Sequence, residues 1–410
     1  MSNRVLMKKL LTHCAVWLLV GVFAGCQKSV VIPLDSPAGA NSSTPNFTVD
    51  HLGRTILSWQ RKEQQDTVLE YSVLSAGVWS EPIEVARGED WFVNWADFPA
   101  VQAVSESFWG AHYLQRTPGG KYAYDIHLRL SNDGGRSWYD AGRPHSDGTL
   151  TEHGFVSLYS HDDRLGIVWL DGRAVAEYAG GGGDHAHHGA MTLRSAYVDA
   201  QGQLSSEQQI DSRVCDCCQT AAVLTSSGPI IAYRDRTSEE VRDIASSRLL
   251  DGDWTAPQPA VVDGWRINGC PVNGPALAAR ENDVALLWFS GADDRSQVFL
   301  SRSSDGGESF GRKLKVNERH ALGRVAMAMY PDRSAVLVWL REDASGTAQI
   351  VARYVSANNQ LGPVRELVDV SAERLSGFPK LTLAGDEVVL AWTDVTGPSP
   401  QVRTSIVHIK

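Results

Sequence analysis

Ala285-Leu286-Leu287-Trp288 is an apolar run closed by an aromatic ring, and the chain repeats that device seven times. The closing aromatics are Trp59, Tyr113, Trp169, Tyr233, Trp288, Trp339 and Trp392, with gaps of 54, 56, 64, 55, 51 and 53 residues. A near-constant period of this size marks stacked or radially repeated units. Working outward from each aromatic, every unit has the same plan. An apolar strand comes first, as in Phe155-Val156-Ser157-Leu158, then a turn such as His161-Asp162-Asp163, then the aromatic-ended strand. A third strand alternates, as in Val298 to Ser303, and a short fourth often holds Pro, as in Glu81 to Val85. Short alternating runs bounded by turn residues indicate strands, and no segment sustains a helical period. The expected fold is all-β: a β-propeller of four-stranded blades, seven in number, with six as the alternative if the first unit is an appendage. The last unit stops at a third strand, 402–409. A segment around Ser29 to Ile32 is placed to supply its fourth and close the ring.

Two octets refine the repeat. Ser131-Asn132-Asp133-Gly134-Gly135-Arg136-Ser137-Trp138 and Ser303-Ser304-Asp305-Gly306-Gly307-Glu308-Ser309-Phe310 each fall between strands three and four of a unit. The Asp bonds the turn's own backbone and the paired Gly takes positive φ, so the octet is a self-contained hairpin. These segments resemble the Asp-box (BNR repeat) of sialidase-like propellers, and the resemblance covers the whole domain after the leader. It implies the fold more than any activity. Sialidases pair a Tyr nucleophile with a carboxylate and hold the substrate acid with three Arg. This chain departs from that pattern: Asp97-Phe98-Pro99 stands where Arg-Ile-Pro is expected, and Ser376-Gly377-Phe378 where the Tyr is expected. Sialidase catalysis is therefore not carried over.

The first 25 residues read as an export signal: Arg4, Lys8 and Lys9, an apolar stretch from Leu10 to Phe23, then Phe23-Ala24-Gly25-Cys26. The small residues before cysteine resemble the bacterial lipoprotein box, with Phe23 where Leu is usual. The resemblance makes Cys26 the acylated N-terminus. Gln27 after it implies the outer membrane. Residues 26–44 read as a tether and 45–410 as the propeller. The net charge is −10, and without the three basic leader residues the balance is 35 basic to 48 acidic. An acidic domain is a poor ligand for nucleic acid. A lipid-anchored monomer is expected.

Antiparallel strands put the strand-one starts and strand-two ends on one face and the octet turns on the other. Strand-one starts carry Trp91 to Asp97, Glu152-His153, Cys215-Asp216-Cys217-Cys218-Gln219, Arg266 to Cys270, Arg324 and Arg374. Strand-two ends add Asp171-Gly172-Arg173, Arg234-Asp235-Arg236 and Arg341 to Asp343. A glycan at the central funnel is the leading functional expectation. Asp97, Asp171 and Asp235 are the candidate catalytic carboxyls, since glycoside cleavage uses a carboxyl pair. Arg173, Arg234, Arg236 and Arg324 are candidate substrate forks, suited to a carboxylate or sulfate. Trp91 and Trp95 are candidate stacking rings, with inter-blade packing the alternative. A non-catalytic interaction module is a second expectation. The third is a metal-binding or thiol-redox propeller. Cys215, Cys217, Cys218, Cys270, His185, His187 and His188 gather on the same face in successive units and suit zinc or copper. Disulfides are the favoured state of the cysteines outside the cytoplasm.

Overall fold

The computed structural model describes residues 31–176, 189–205, 207–343 and 346–409. Seven antiparallel sheets follow one another along the chain. They form blade 1 (42–88), blade 2 (100–142), blade 3 (153–214), blade 4 (221–261), blade 5 (276–315), blade 6 (321–370) and blade 7 (380–407). This is a seven-bladed β-propeller. Blade 7 takes its outer strand from the other end of the chain: Val31–Leu34 pairs antiparallel with Gln401–Val407, Val31 opposite Val407 and Leu34 opposite Thr404. The ring is thus fastened by both termini. Further ties flank the seam, from Ser42 N to Pro400 O at 3.1 Å and from Gln401 Nε2 to Ala38 O at 3.0 Å. Residues 31–44, expected within a tether, belong instead to the ring. The apolar run Val31-Ile32 pairs with the otherwise open third strand of blade 7 and becomes its outer strand.

The repeat has a direct physical basis. The apolar core divides into seven clusters, and each lies between two adjacent blades. The blade aromatics fill these clusters from the second strand, as Trp169 does from Arg164–Asp171. Trp59, Trp169 and Trp288 are fully buried. A buried indole still carries an N–H donor, and in these three it finds an acidic partner. Trp59 donates to Glu70 at 2.9 Å, Trp169 to Asp171 at 2.8 Å and Trp288 to Asp263 at 2.6 Å. The Tyr233 hydroxyl likewise donates to Asp211 at 2.6 Å. An acid beside the blade aromatic is a recurring packing device.

Both octets adopt the hairpin expected of them. Asp133 Oδ1 accepts from Ser131 Oγ at 2.8 Å and Ser137 N at 2.9 Å, and Asp305 repeats this with Ser303 and Ser309. Their glycines have φ of 74° and 85°, and 71° and 85°. A Cβ on Gly307 would overlap Ile230 of the preceding blade, so this position also requires glycine for space. Gly134 N donates to Ser107 O and Gly306 N to Asn282 O, both in turns between strands one and two. The octets therefore lie on the face opposite the strand-one starts, which is called the upper face below.

Candidate functional site on the upper face

The connection from blade 1 to blade 2 crosses the propeller axis. Trp95 stacks on Phe378 of the blade 7 approach, with centroids 5.7 Å apart, and the Arg324 guanidinium of blade 6 lies 4.8 Å from its ring. Gln219, leading into blade 4, donates to Ala96 O at 2.6 Å across 123 residues. The funnel expected to hold a ligand is plugged at its upper mouth. Beneath the plug remains a cavity of about 220 Å³ whose walls include Thr48, Phe98, Ser157, Thr220 and Lys380.

The arginines expected to grip a substrate are engaged within the protein. Arg234 is buried and donates to Asn273 O at 2.8 Å, Arg242 O at 2.6 Å and Phe289 O at 2.7 Å. Arg324 donates to Ser376 Oγ at 2.7 Å and to the carbonyls of Ala372, Glu373 and Gly377. Arg236 pairs with Glu240 and Asp216, and Arg173 with Asp171 and Glu207. These forks tie loop to loop and present no free donor pair. Asp171 belongs to the aromatic–acid series: it is fully buried and taken by Trp169 and both arms of Arg173. Asp235 is half-buried, accepts from Arg236 N at 2.7 Å, and burial pushes it up to about 6. Trp91 is buried against Tyr113, centroids 4.1 Å apart, in the apolar cluster between blades 1 and 2, which is the inter-blade packing alternative.

Asp97 lies in a different setting. Its Oδ2 accepts from Phe155 N at 2.9 Å and from the Tyr124 hydroxyl at 3.2 Å. The same hydroxyl contacts Glu152 Oε1 at 2.7 Å. The two carboxyl oxygens are therefore no farther apart than two hydrogen bonds laid end to end. Burial raises Asp97 to about 7 and Glu152 to about 8. One phenol proton cannot serve two carboxylates, so the trio holds an extra proton near neutrality. Asp97 and Tyr124 are buried, while Glu152 is only partly covered. Local backbone strain supports the arrangement. Gly154 has no Cβ to strike Asp97, and Phe155 sits at φ 52° where the strand bulges. An aromatic ladder runs from the trio to solvent: Tyr124 stacks on Phe92 at 3.9 Å, and exposed Tyr122 meets Phe92 edge-on at 6.4 Å.

Next to the trio, Asp125, Asp147 and Asp171 surround His145 and His153. The sequence singled out Glu152 and His153 only as a strand start, and Tyr124 and Asp125 not at all. Their shared position, at the top of strand three of one blade and strand one of the next, is the signal available in hindsight.

Cys217 and Cys270 form a disulfide across 53 residues, joining the connections that precede and follow blade 4. Cys215 and Cys218 are buried thiols with sulfurs 2.6 Å apart. Burial opposes the Cys215 thiolate, but contact with Cys218 and the nearby Arg242 guanidinium outweigh it and bring the Cys215 thiol below its ordinary value. His185, His187 and His188 lie outside the described residues, as does Cys26.

No protein-family profile and no curated relative matches the chain. Solved structures do. An ulvan lyase of the polysaccharide lyase family PL25 matches with a TM-score of 0.58 at 12% identity, over 92% of this chain and 96% of that one. A lectin of Burkholderia pseudomallei, BP39L, also has a TM-score of 0.58, at 11% identity over 90% of this chain and 94% of the lectin. The polysaccharide lyase Uly1 has a TM-score of 0.53 at 9% identity, over 90% of each chain. At these identities the likeness establishes a shared propeller fold, in proteins whose own names denote action on or binding to glycans.

Proposed function

We propose that this protein is an exported, monomeric, lipid-anchored propeller that binds a glycan on its upper face, with Glu152 as the group that meets the sugar. The observation that carries this is the Asp97–Tyr124–Glu152 trio, whose one partly exposed carboxyl, Glu152, lies at the foot of the Tyr122–Phe92–Tyr124 ladder. An exposed tyrosine at one end of the ladder and a held carboxyl at the other suit a glycan, one surface for an apolar sugar face and one polar partner for its hydroxyls. The carboxyl spacing is nearer the roughly 5–5.5 Å of a retaining pair than the roughly 6.5–9.5 Å of an inverting one. Because Asp97 is buried, it supports Glu152 and does not reach a substrate itself. Binding is thus the primary activity, and Glu152 is the acid–base group any cleavage would use. Glycan-array binding, with hydrolysis and elimination assays on retained glycans, tests the proposal. Glu152→Gln and Tyr122→Ala are expected to weaken retention at least tenfold. A wild-type protein that retains no glycan would sink it. Acylation at Cys26 is read separately, by mass of the mature N-terminus.

A second reading keeps the cysteines as a redox element, because Cys215 and Cys218 are two buried thiols in contact in a C-x-x-C spacing. Thiol counting at controlled potentials tests it. A pair that never titrates between reduced and oxidised forms removes it.

A further inference from the structure

The four cysteines among the described residues form a series from solvent to core. Cys270 is exposed, Cys217 is half-buried, and Cys215 and Cys218 are buried. The outer two are bonded to each other and the inner two are thiols. Local structure brings the inner end together. Cys215 and Cys218 flank a turn whose middle residues are Asp216 and Cys217. A four-residue turn draws its first and last residues close, so side chains three positions apart meet. The sulfurs of Cys215, Cys217 and Cys218 all lie within 4.8 Å of one another. The disulfide thus has two thiols at its inner end and solvent at its outer end.

The two thiols are not equivalent. Arg242 Nη1 donates to Cys215 Sγ at 3.4 Å, and the same buried guanidinium is held by Glu240 at 2.8 Å. A fixed positive charge against a sulfur favours its thiolate, the form that attacks disulfides. Burial and contact with Cys215 push the Cys218 thiol up instead. Cys215 is therefore the nucleophile of the pair, and Cys218 is its proton-bearing neighbour. Each is 1% exposed, so an external thiol has no direct approach to either in the folded ring. Its approach is through Cys270 and then Cys217.

We propose that the four cysteines form a thiol–disulfide relay, in which Cys217–Cys270 exchanges electrons with external thiols and disulfides, and Cys215 and Cys218 store them inside. The relay rests on the reading of Cys215 and Cys218 as a redox pair. Its steps balance. Cys215 gives its proton to water, and its thiolate attacks Cys217 Sγ. The Cys215–Cys217 bond forms as the Cys217–Cys270 bond breaks, and Cys270 leaves as an exposed thiolate that takes a proton from water. Cys218 then attacks Cys215, and its proton passes to Cys217, the leaving thiolate. The buried pair ends as a disulfide and the outer pair as two thiols, with two electrons moved and no other reactant consumed. An external disulfide, itself reduced to two thiols, restores the outer bond. External thiols, themselves oxidised to a disulfide, drive the sequence in reverse.

The test uses full mature protein poised at two thiols among these four cysteines and incubated, folded, with an alkylating reagent. The reagent traps Cys270 each time exchange frees its thiol. Trypsin leaves Cys215, Cys217 and Cys218 in residues 214–234 and Cys270 in 267–280, so the starting cross-link and its loss are read by mass. Wild type is expected to lose the cross-link and gain a bond between Cys215 and Cys218. Cys218→Ala should stall at the Cys215–Cys217 bond with Cys270 alkylated. Cys215→Ala should slow the labelling of Cys270 at least tenfold. The two variants remove the same atoms from one pocket, so a packing defect would change both alike. In a glutathione couple, Cys217→Ser/Cys270→Ser should slow oxidation of the buried pair at least tenfold. A wild-type cross-link that is never lost, or unchanged labelling in Cys215→Ala, overturns the relay. So does an unchanged rate in the double variant, which leaves the buried pair redox-active on its own. A buried pair that never changes state overturns the relay and the redox reading together.

Discussion

Lys380 offers a quantitative test of how the centre of the ring is built. It begins the inner strand of blade 7 (Lys380–Ala384), and its ammonium lies 3.3 Å from the Phe98 ring centroid, in the wall of the axial cavity. Among the described residues no carboxylate forms an ion pair with it. Burial lowers its pKa from 10.5 to about 7. Between those values the unfolded chain binds more protons than the folded one, so stability should rise with pH across that window. Each tenfold displacement of a protonation equilibrium is worth about 1.4 kcal/mol, so full burial of the charge would cost ~5 kcal/mol. Partial exposure to the channel screens the charge, and ~2 kcal/mol is the expected remainder. Lys380→Met keeps most of the side-chain volume and removes the charge. Urea unfolding should find the variant more stable by about 2 kcal/mol at pH 7. The advantage should shrink steadily as the pH rises toward 10.5, because the cost of removing the lysine's proton on folding falls as the pH approaches its unfolded value. A variant that is less stable at pH 7, or a difference that does not change with pH, would refute the reasoning.

Two further outcomes follow from the packing. Gly307→Ala should lower stability by at least ~2 kcal/mol, because the new methyl must displace Ile230 at a residue held at φ 85°. Gly385→Ala, at φ 64° with open space around it, should cost only about 1 kcal/mol in the same thermal-melt series. Cys217→Ser/Cys270→Ser should lower stability by up to about 4 kcal/mol, the chain-entropy value for a loop of this length. Matched melts with and without reductant check this. The double variant should respond less to reductant than the wild type.

The propeller was legible because its signal is local and repeated. Each blade aromatic sits in a second strand and packs between blades, so the period could be counted without knowing any long-range contact. The sharing of a face by the strand-one starts followed from antiparallel pairing alone. What the residues do on that face was less legible, for physical reasons. Asp171 and Arg173 look like a rim acid and a substrate fork until the Trp169 N–H is placed, and then they complete a buried bonding set. Arg234 and Arg324 look free because their partners are backbone carbonyls, which carry no sequence signature. The plug over the funnel depends on contacts such as Gln219 with Ala96, 123 residues apart. Tyr124 and Glu152 meet across a blade boundary from positions 28 residues apart, a spacing with no meaning outside the folded ring. The strand Val31–Leu34 was suggested by its apolar run, but only the open edge of blade 7 gives that run a place.

The most direct test of the central claim is the affinity of a retained glycan for wild-type protein against Glu152→Gln, with the melting temperature of both recorded. The account predicts at least a tenfold loss of affinity with the fold intact, and a similar loss for Tyr122→Ala. Undiminished affinity in a folded Glu152→Gln variant would contradict it and move the binding surface away from blades 2 and 3.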